Sequence, residues 1–264
     1  MNETLKYPEN HIINIISTQL DEIEQKENVR ILHAVESGSR AWGFASPDSD
    51  YDVRFIYVRT VEDYLRLESK RDVIEWYQDD VLDIMGWDLK KALCLLRNSN
   101  PTLFEWNNSP IVYRTTRTWS EIGQYFGDYF LNRAGLHHYL NMAMGNNRKY
   151  LQGETVRLKK YFYALRPLLA CKWILTKNCP PPMLFLDLIE AELEPRLRPL
   201  VDDILRLKAV TSEVGESERI DELNSYIDAT VVDILEAIQK LPPDRKVGWD
   251  QLNRLFIDAL NWHQ

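Results

Sequence analysis

Apolar positions change period twice along the chain. Ile12, Ile13, Ile16, Leu20 and Ile23 recur at helical spacing, so a helix is predicted over 10–26. The run Val29-Arg-Ile-Leu-His-Ala-Val then reads as a buried strand over 29–36, and further strands are predicted near 51–58, 72–77 and 81–86. Helices follow near 88–98 and 101–107, and Ser109-Pro110 breaks the pattern before a short run at 111–113. Beyond residue 115 the period is helical almost throughout, over 118–131, 134–152, 154–177, 183–193, 197–210, 217–240 and 248–262. Cys179-Pro-Pro-Pro and Leu241-Pro-Pro supply the stops, because proline cannot continue a helix. The expectation is an α+β chain, with a small mixed sheet in residues 1–115 followed by a helical bundle in 116–264.

Composition narrows this only a little. With 264 residues, 45% hydrophobic and 27% charged, the chain can bury a substantial core. Its net charge of −8 argues against nucleic-acid binding over the whole surface, while leaving room for a local basic groove. The three cysteines, Cys94, Cys171 and Cys179, have neither disulfide-framework nor zinc spacing; Cys94 and Cys171 lie in apolar helical runs and read as core. The first residues lack the apolar stretch of a signal peptide and no run reaches membrane-spanning length, so a cytoplasmic location without membrane association is expected. The eight tryptophans, among them Trp42, Trp87, Trp106 and Trp173, are dispersed and read as packing.

Candidate chemistry concentrates in residues 37–53, Ser-Gly-Ser-Arg-Ala-Trp-Gly-Phe-Ala-Ser-Pro-Asp-Ser-Asp-Tyr-Asp-Val. A Gly-Ser turn at the exit of a strand presents outward N–H groups to phosphate oxygens. Gly38 permits close approach, Ser37 and Ser39 add hydroxyl donors, and Arg40 either supports a phosphate or pairs with a nearby acid. Asp50 and Asp52, two apart on an extended backbone, share a face. Converging carboxylates repel unless a cation lies between them, and Mg²⁺ suits hard oxygen ligands shared with substrate phosphates. An EF-hand is excluded, since its sixth and twelfth positions, counted from Asp48, would be Val53 and Arg59. Asp48 itself, after Pro47, reads as a turn residue.

This motif resembles the nucleotidyltransferase superfamily related to DNA polymerase β, whose pattern is an apolar strand, Gly-Ser, a gap, then Asp-x-Asp and an apolar residue. Within it, Glu36–Ser46 and Ser49-Asp-Tyr-Asp-Val-Arg resemble the RlaP or YcgL-like predicted nucleotidyltransferases. Asp88-Leu-Lys-Lys-Ala-Leu, Asn100-Pro-Thr-Leu-Phe-Glu-Trp, Ser109-Pro-Ile-Val-Tyr and Lys160-Tyr-Phe-Tyr-Ala-Leu-Arg-Pro extend the likeness over most of 29–175. The resemblance implies a polymerase β-like sheet domain, a nucleoside triphosphate substrate with ATP favoured, and Mg²⁺ or alternatively Mn²⁺. It also implies a third carboxylate on a later strand.

Asp83, between Leu82 and Ile84, is assigned to that third position, with Asp88 as the competitor and as a good helix N-cap. Asp79 and Asp80 are expected at a hairpin tip. In the helical half, Leu158, Phe162, Leu165 and Leu169 form a core stripe, and Lys159, Tyr163 and Arg166 a neighbouring one, with Lys160 farther round. Either lysine could meet the β- or γ-phosphate and Tyr163 the base or sugar, with Arg166 a further nucleotide-binding candidate, although a solvated helix face has the same pattern. His137 and His138 point about 100° apart and cannot serve one metal together. Glu36 could support the turn from behind.

The expected activity is transfer of a nucleoside monophosphate from a triphosphate to an acceptor hydroxyl, releasing pyrophosphate. RNA is the acceptor the resemblance implies; a protein or small-molecule acceptor, or a catalytically silent nucleotide-binding or antitoxin-like module, are the alternatives.

Overall fold

The computed structural model describes residues 9–77, 81–210 and 216–261. Asp79 and Asp80, expected at a hairpin tip, lie outside the described residues.

The fold is α+β. Helix α1 (Glu9–Glu27) leads into β1 (Val29–Glu36), the single turn α2 (Gly38–Ala41), β2 (Tyr51–Arg59), the short α3 (Val61–Tyr64), β3 (Val73–Tyr77) and β4 (Leu82–Asp88). Helices α4 (Leu89–Arg97) and α5 (Pro101–Asn107) precede β5 (Val112–Thr115). The sheet order is β3-β4-β2-β1-β5. Only the β2–β4 pair is parallel; β1 runs antiparallel to β2 and β5, and β3 antiparallel to β4.

Alternation along β2 gives the two faces of the sheet different partners. Val53, Phe55 and Tyr57 pack with Ile31, Ala34 and Ile84 beneath Ile12, Ile16, Leu20 and Ile23 of α1. Ile56 and Val58, with Leu32 and Val35, face α4 and α5 and join a core that continues into the later helices. The even-numbered face of β2 therefore changes character along its length. It is apolar at Ile56 and Val58 and carries Asp52 and Arg54 at the other end, where the site lies.

After β5 come α6 (Arg117–Gly123), α7 (Phe126–Tyr129), α8 (Asn132–Tyr150), β6 (Thr155–Arg157), α9 (Lys159–Lys177), α10 (Phe185–Glu192), a 3-10 turn (Pro195–Leu197), α11 (Arg198–Val210), β7 (Glu216–Glu218), α12 (Asp221–Lys240) and α13 (Asp250–Leu260). Helix α9 is central, packing against α8, α10 and α12. Its Phe162, Leu165, Leu168 and Leu169 are fully buried, each contributing roughly 1.5–3 kcal/mol. It ends at Asn178 in the left-handed conformation, just ahead of the three prolines. Helix α13 returns to the sheet half, with Phe256 edge-on to Tyr64 at 5.0 Å.

Three expectations change. The segment predicted as one helix over 154–177 begins with β6, and that over 217–240 begins with β7, because these strands pair antiparallel from Thr155↔Glu218 to Arg157↔Glu216. The helix predicted over 118–131 divides into α6 and α7. A three-residue strand has no local periodicity to detect, since its partner lies some sixty residues away. Among the described residues no helix is long and apolar enough to cross a membrane.

Candidate active site

Strand β1 delivers the chain to the turn where phosphate binding was expected. Ser37 N–H donates to Asp52 O at 2.8 Å, tying the turn to the start of β2. Gly38 follows at φ +62°, and a Cβ there would collide with Asp52 Oδ2. Only glycine meets both constraints, so the glycine is what lets the turn lie against the carboxylate. Beneath them Glu36 is fully buried; its Oε1 accepts from Asp52 N–H at 2.8 Å and its Oε2 from Tyr113 O–H at 2.6 Å. Burial pushes its carboxyl up to about 7, against the lowering effect of those two hydrogen bonds.

The intervening loop is held by its own polar groups. Ser49 Oγ accepts from Ser39 Oγ at 3.1 Å and from Ser46 N–H at 2.9 Å. Arg40 does not reach for a ligand. Its Nε and Nη2 donate to the carbonyls of Asp50 (3.1 Å) and Ser49 (2.6 Å), and its guanidinium stacks 3.7 Å from the Tyr51 ring. It acts as a clasp on the acidic loop.

The carboxylates meet across the parallel β2–β4 pair, where Asp52 is in register with Asp83. Asp50 lies just before β2. Between Asp52 and Asp83 sits an arginine that sequence reasoning missed: Arg54 Nη2 donates to Asp52 Oδ1 at 2.9 Å and to Asp83 Oδ2 at 2.8 Å. The same guanidinium reaches the Asp83 carbonyl at 3.1 Å through Nη1. Its signal was available, since residue 54 shares the face of residue 52.

Burial, with repulsion from Asp83 and Asp50, raises the Asp52 pKa while Arg54 opposes it. Asp50 is raised by burial and then by Asp48. Asp88 is placed elsewhere, five residues along β4. It is buried, caps α4 through Lys90 N–H at 2.8 Å and accepts from Tyr64 O–H at 2.9 Å.

These donors suit a hard divalent cation such as Mg²⁺, with one qualification. Among the described residues no three acidic, histidine or cysteine side chains close into a metal cage, and Arg54 engages one oxygen of each of two acids. A complete protein cage is not what Mg²⁺ requires, because it is commonly bound by one or two carboxylates together with substrate phosphates. Asp50 and Asp52 meet that description; burial is the main cause of their raised pKa values.

The opposite wall comes from the helical half. Together, the turn, Asp48, the acidic pair, Lys159 and Tyr163 of α9, Trp42, and Lys208 of α11 line a cleft of about 390 Å³. Of the two neighbouring lysines, Lys159 faces this cleft; Lys160 instead stacks its Nζ 4.1 Å from the Tyr150 ring. Tyr163 stands edge-on to Trp42 at 5.9 Å, and burial raises its pKa.

Arg166, expected on the same stripe, is drawn away into the core. It is 3% exposed, donates to Glu105 Oε1 at 3.0 Å and to the Met183 carbonyl at 3.3 Å, and stacks over Trp42. Glu105 supplies the counter-charge that a guanidinium buried there requires.

Lys208 was also missed. It is 4% exposed, and its Nζ donates to Phe44 O at 2.6 Å. Burial and then Lys159 lower its pKa to about 8. Its signal lay in the stripe Leu197, Val201, Ile204 and Lys208, a lysine at a core position of an amphipathic helix. His137 and His138 do not line the cleft; half-buried His138 has its pKa lowered by burial.

The sequence profile of a family described as the RNA repair pathway DNA polymerase beta family matches residues 12–258. An uncharacterised protein, YcgL of Bacillus subtilis (strain 168), is 45% identical over 247 residues, covering 93% of this chain and 95% of that one. A crystal structure of a nucleotidyltransferase-like protein from Exiguobacterium sibiricum 255-15 is 11% identical and covers 86% of this chain and 74% of the other. Its TM-score of 0.31 is too low to establish a shared architecture.

Proposed function

The chain belongs to the RNA repair pathway DNA polymerase β family, whose activity class is nucleotidyl transfer, and from that premise we propose an NMP transferase acting on an acceptor hydroxyl, with RNA as the acceptor. The observation that carries this reading is the packing of Gly38 against Asp52, which makes the phosphate-binding turn and the acidic pair one continuous surface.

In this mechanism the triphosphate, ATP in the favoured case, lies along Ser37, Gly38 and Ser39, which supply N–H and hydroxyl donors. Lys159 and Lys208 neutralise the β- and γ-phosphates from the facing wall. Tyr163 and Trp42 form the aromatic side against which base or sugar packs. Asp50, Asp52 and Asp83 would hold Mg²⁺, or Mn²⁺ in its place, which supplies charge neutralisation on the phosphates and acidifies the acceptor hydroxyl. Arg54 keeps Asp52 ionised, and Glu36 fixes the backbone from which Asp52 projects. The acceptor oxygen attacks the α-phosphorus, its proton passes to Asp83, the α–β phosphoanhydride bond breaks, and pyrophosphate leaves.

One observation favours a second reading. Arg54 cross-links two of the three acids, as in a silent nucleotide-binding module whose metal site is closed by an internal cation. Turnover separates the two. The test is transfer of label from each α-labelled NTP, with Mg²⁺, to total RNA, total protein and a metabolite extract, beside the Asp52→Ala protein. Mg²⁺-dependent label in RNA, reduced about 10²–10³-fold or more by the substitution, supports the proposal. Nucleotide binding without transfer from any NTP supports the silent module, and label in protein or metabolites replaces the acceptor.

A further inference from the structure

Tyr163 lines the cleft on one side and leads away from it on another. Lys160 Nζ lies 4.9 Å from the Tyr163 ring centroid and 4.1 Å from that of Tyr150, while Lys149 Nζ lies 4.9 Å from the Tyr150 ring. Aromatic and cationic groups thus alternate from the acid-lined cleft to the C-terminal end of α8. There an open groove of about 600 Å³ is bounded by Asn141, Met142, Asn146, Arg148, Lys149 and Tyr150.

Two further observations set this track apart from an ordinary solvated helix face. In a chain of net charge −8, residues 141–163 contain five basic residues (Arg148, Lys149, Arg157, Lys159, Lys160) against one acid, Glu154. None of Arg148, Lys149 and Lys160 forms an ion pair with a described residue; Lys149 and Lys160 lie against tyrosine rings instead. No carboxylate among the described residues pairs with these three side chains.

We propose that the track Lys160–Tyr150–Lys149, which meets the cleft beside Tyr163, holds the 3′-terminal stretch of a single-stranded polynucleotide acceptor and delivers its last hydroxyl to the cleft; this rests on the transferase reading above. Lysines neutralise backbone phosphates, and tyrosine faces accept bases irrespective of their identity. Unstacked bases are required for that contact, so the track selects a single strand over a duplex.

The test is fluorescence anisotropy of the full chain, without NTP, against a labelled single-stranded RNA of about 12 nucleotides. DNA of the same sequence, an RNA duplex and inorganic polyphosphate are the comparison arms, and melting curves accompany each variant. Salt-sensitive binding of single strands is expected, weakened about tenfold by Lys149→Glu and about fivefold or more by Tyr150→Ala, and restored by Tyr150→Phe. The RNA and DNA arms identify which strand is preferred. Wild-type affinity in both Lys149→Glu and Tyr150→Ala, equal binding of duplex or polyphosphate, or no binding of any single strand overturns the proposal. Tyr150-dependent binding in a protein that transfers no NMP would leave the track standing and remove the transferase reading. NMP transfer to RNA that is blind to both substitutions would do the reverse.

Discussion

Arg166 and Arg54, two of the arginines that bind carboxylates in this protein, do opposite things. Arg166 meets Glu105 one to one, in a core where the two side chains are 4% and 10% exposed, and Tyr139 O–H and the Met183 carbonyl complete the set. Arg54 is 13% exposed and shared between Asp52 and Asp83, which remain 32% and 39% open, with Asp50 adding repulsion. The first centre is balanced in charge and closed to water, with the Arg166 Nε as the one group there left without a hydrogen-bond partner among the described residues. The second sets one guanidinium between two partly exposed acids beside an open cleft, where the proposed cation and triphosphate would bind. Residue type does not separate scaffold from site here; the local charge count and access to water do.

The comparison is most exposed at Arg166. Arg166→Ala strands Glu105 in the core and is expected to cost about 3–5 kcal/mol, read as a drop in urea midpoint, whereas Arg166→Met with Glu105→Leu should recover most of it. A single substitution costing under about 1 kcal/mol would mean that the centre is not closed as described.

A smaller stability effect with a different signature is expected at Arg54. Arg54→Ala should cost at most about 1 kcal/mol, because Asp52 and Asp83 can be rehydrated. It removes the group that lowers the Asp52 pKa, so Asp52 takes up its proton at higher pH. The acid limb of the pH–rate profile should then move upward; an unmoved limb would show that Arg54 does not tune this acid.

The smallest effect concerns the cation facing that charge. The Lys208 ammonium, held down to about 8, loses its charge as pH rises through that value. KM for the NTP should therefore climb about twofold to fivefold from below to above it, and Lys208→Arg, which stays charged, should flatten the rise. A pH-independent KM in the native protein would remove Lys208 from the phosphate wall.

Legibility followed the range of the interactions. The strands, the Gly38 turn, the shared face of Asp50 and Asp52, and the break at Cys179–Pro182 were readable because each depends on neighbours within a few residues. Apolar flanks favour Asp83 over Asp88 for a third carboxylate; the register sets Asp83 beside Asp52, and Asp88 caps α4. Local spacing does not show where a long flexible side chain ends, so it cannot tell that Arg40 clasps its own loop, that Lys160 turns to Tyr150 or that Arg166 enters the core. Arg54 and Lys208 were passed over for the converse reason, although each broke the character of its own stripe.

By itself the sequence determined the α+β order, the helical second half and the turn and shared carboxylate face of residues 37–52, since period, prolines and the Gly-Ser/Asp-x-Asp spacing act over short distances. Only the tertiary structure decided that α9 and α11 close over the sheet so that Lys159, Tyr163 and Lys208 face the acids. It likewise decided which arginine is sealed in the core, and that β6 and β7 pair across the helical half. Those outcomes depend on contacts between residues far apart in the chain, whose energies arise from burial and charge compensation and leave no periodic trace.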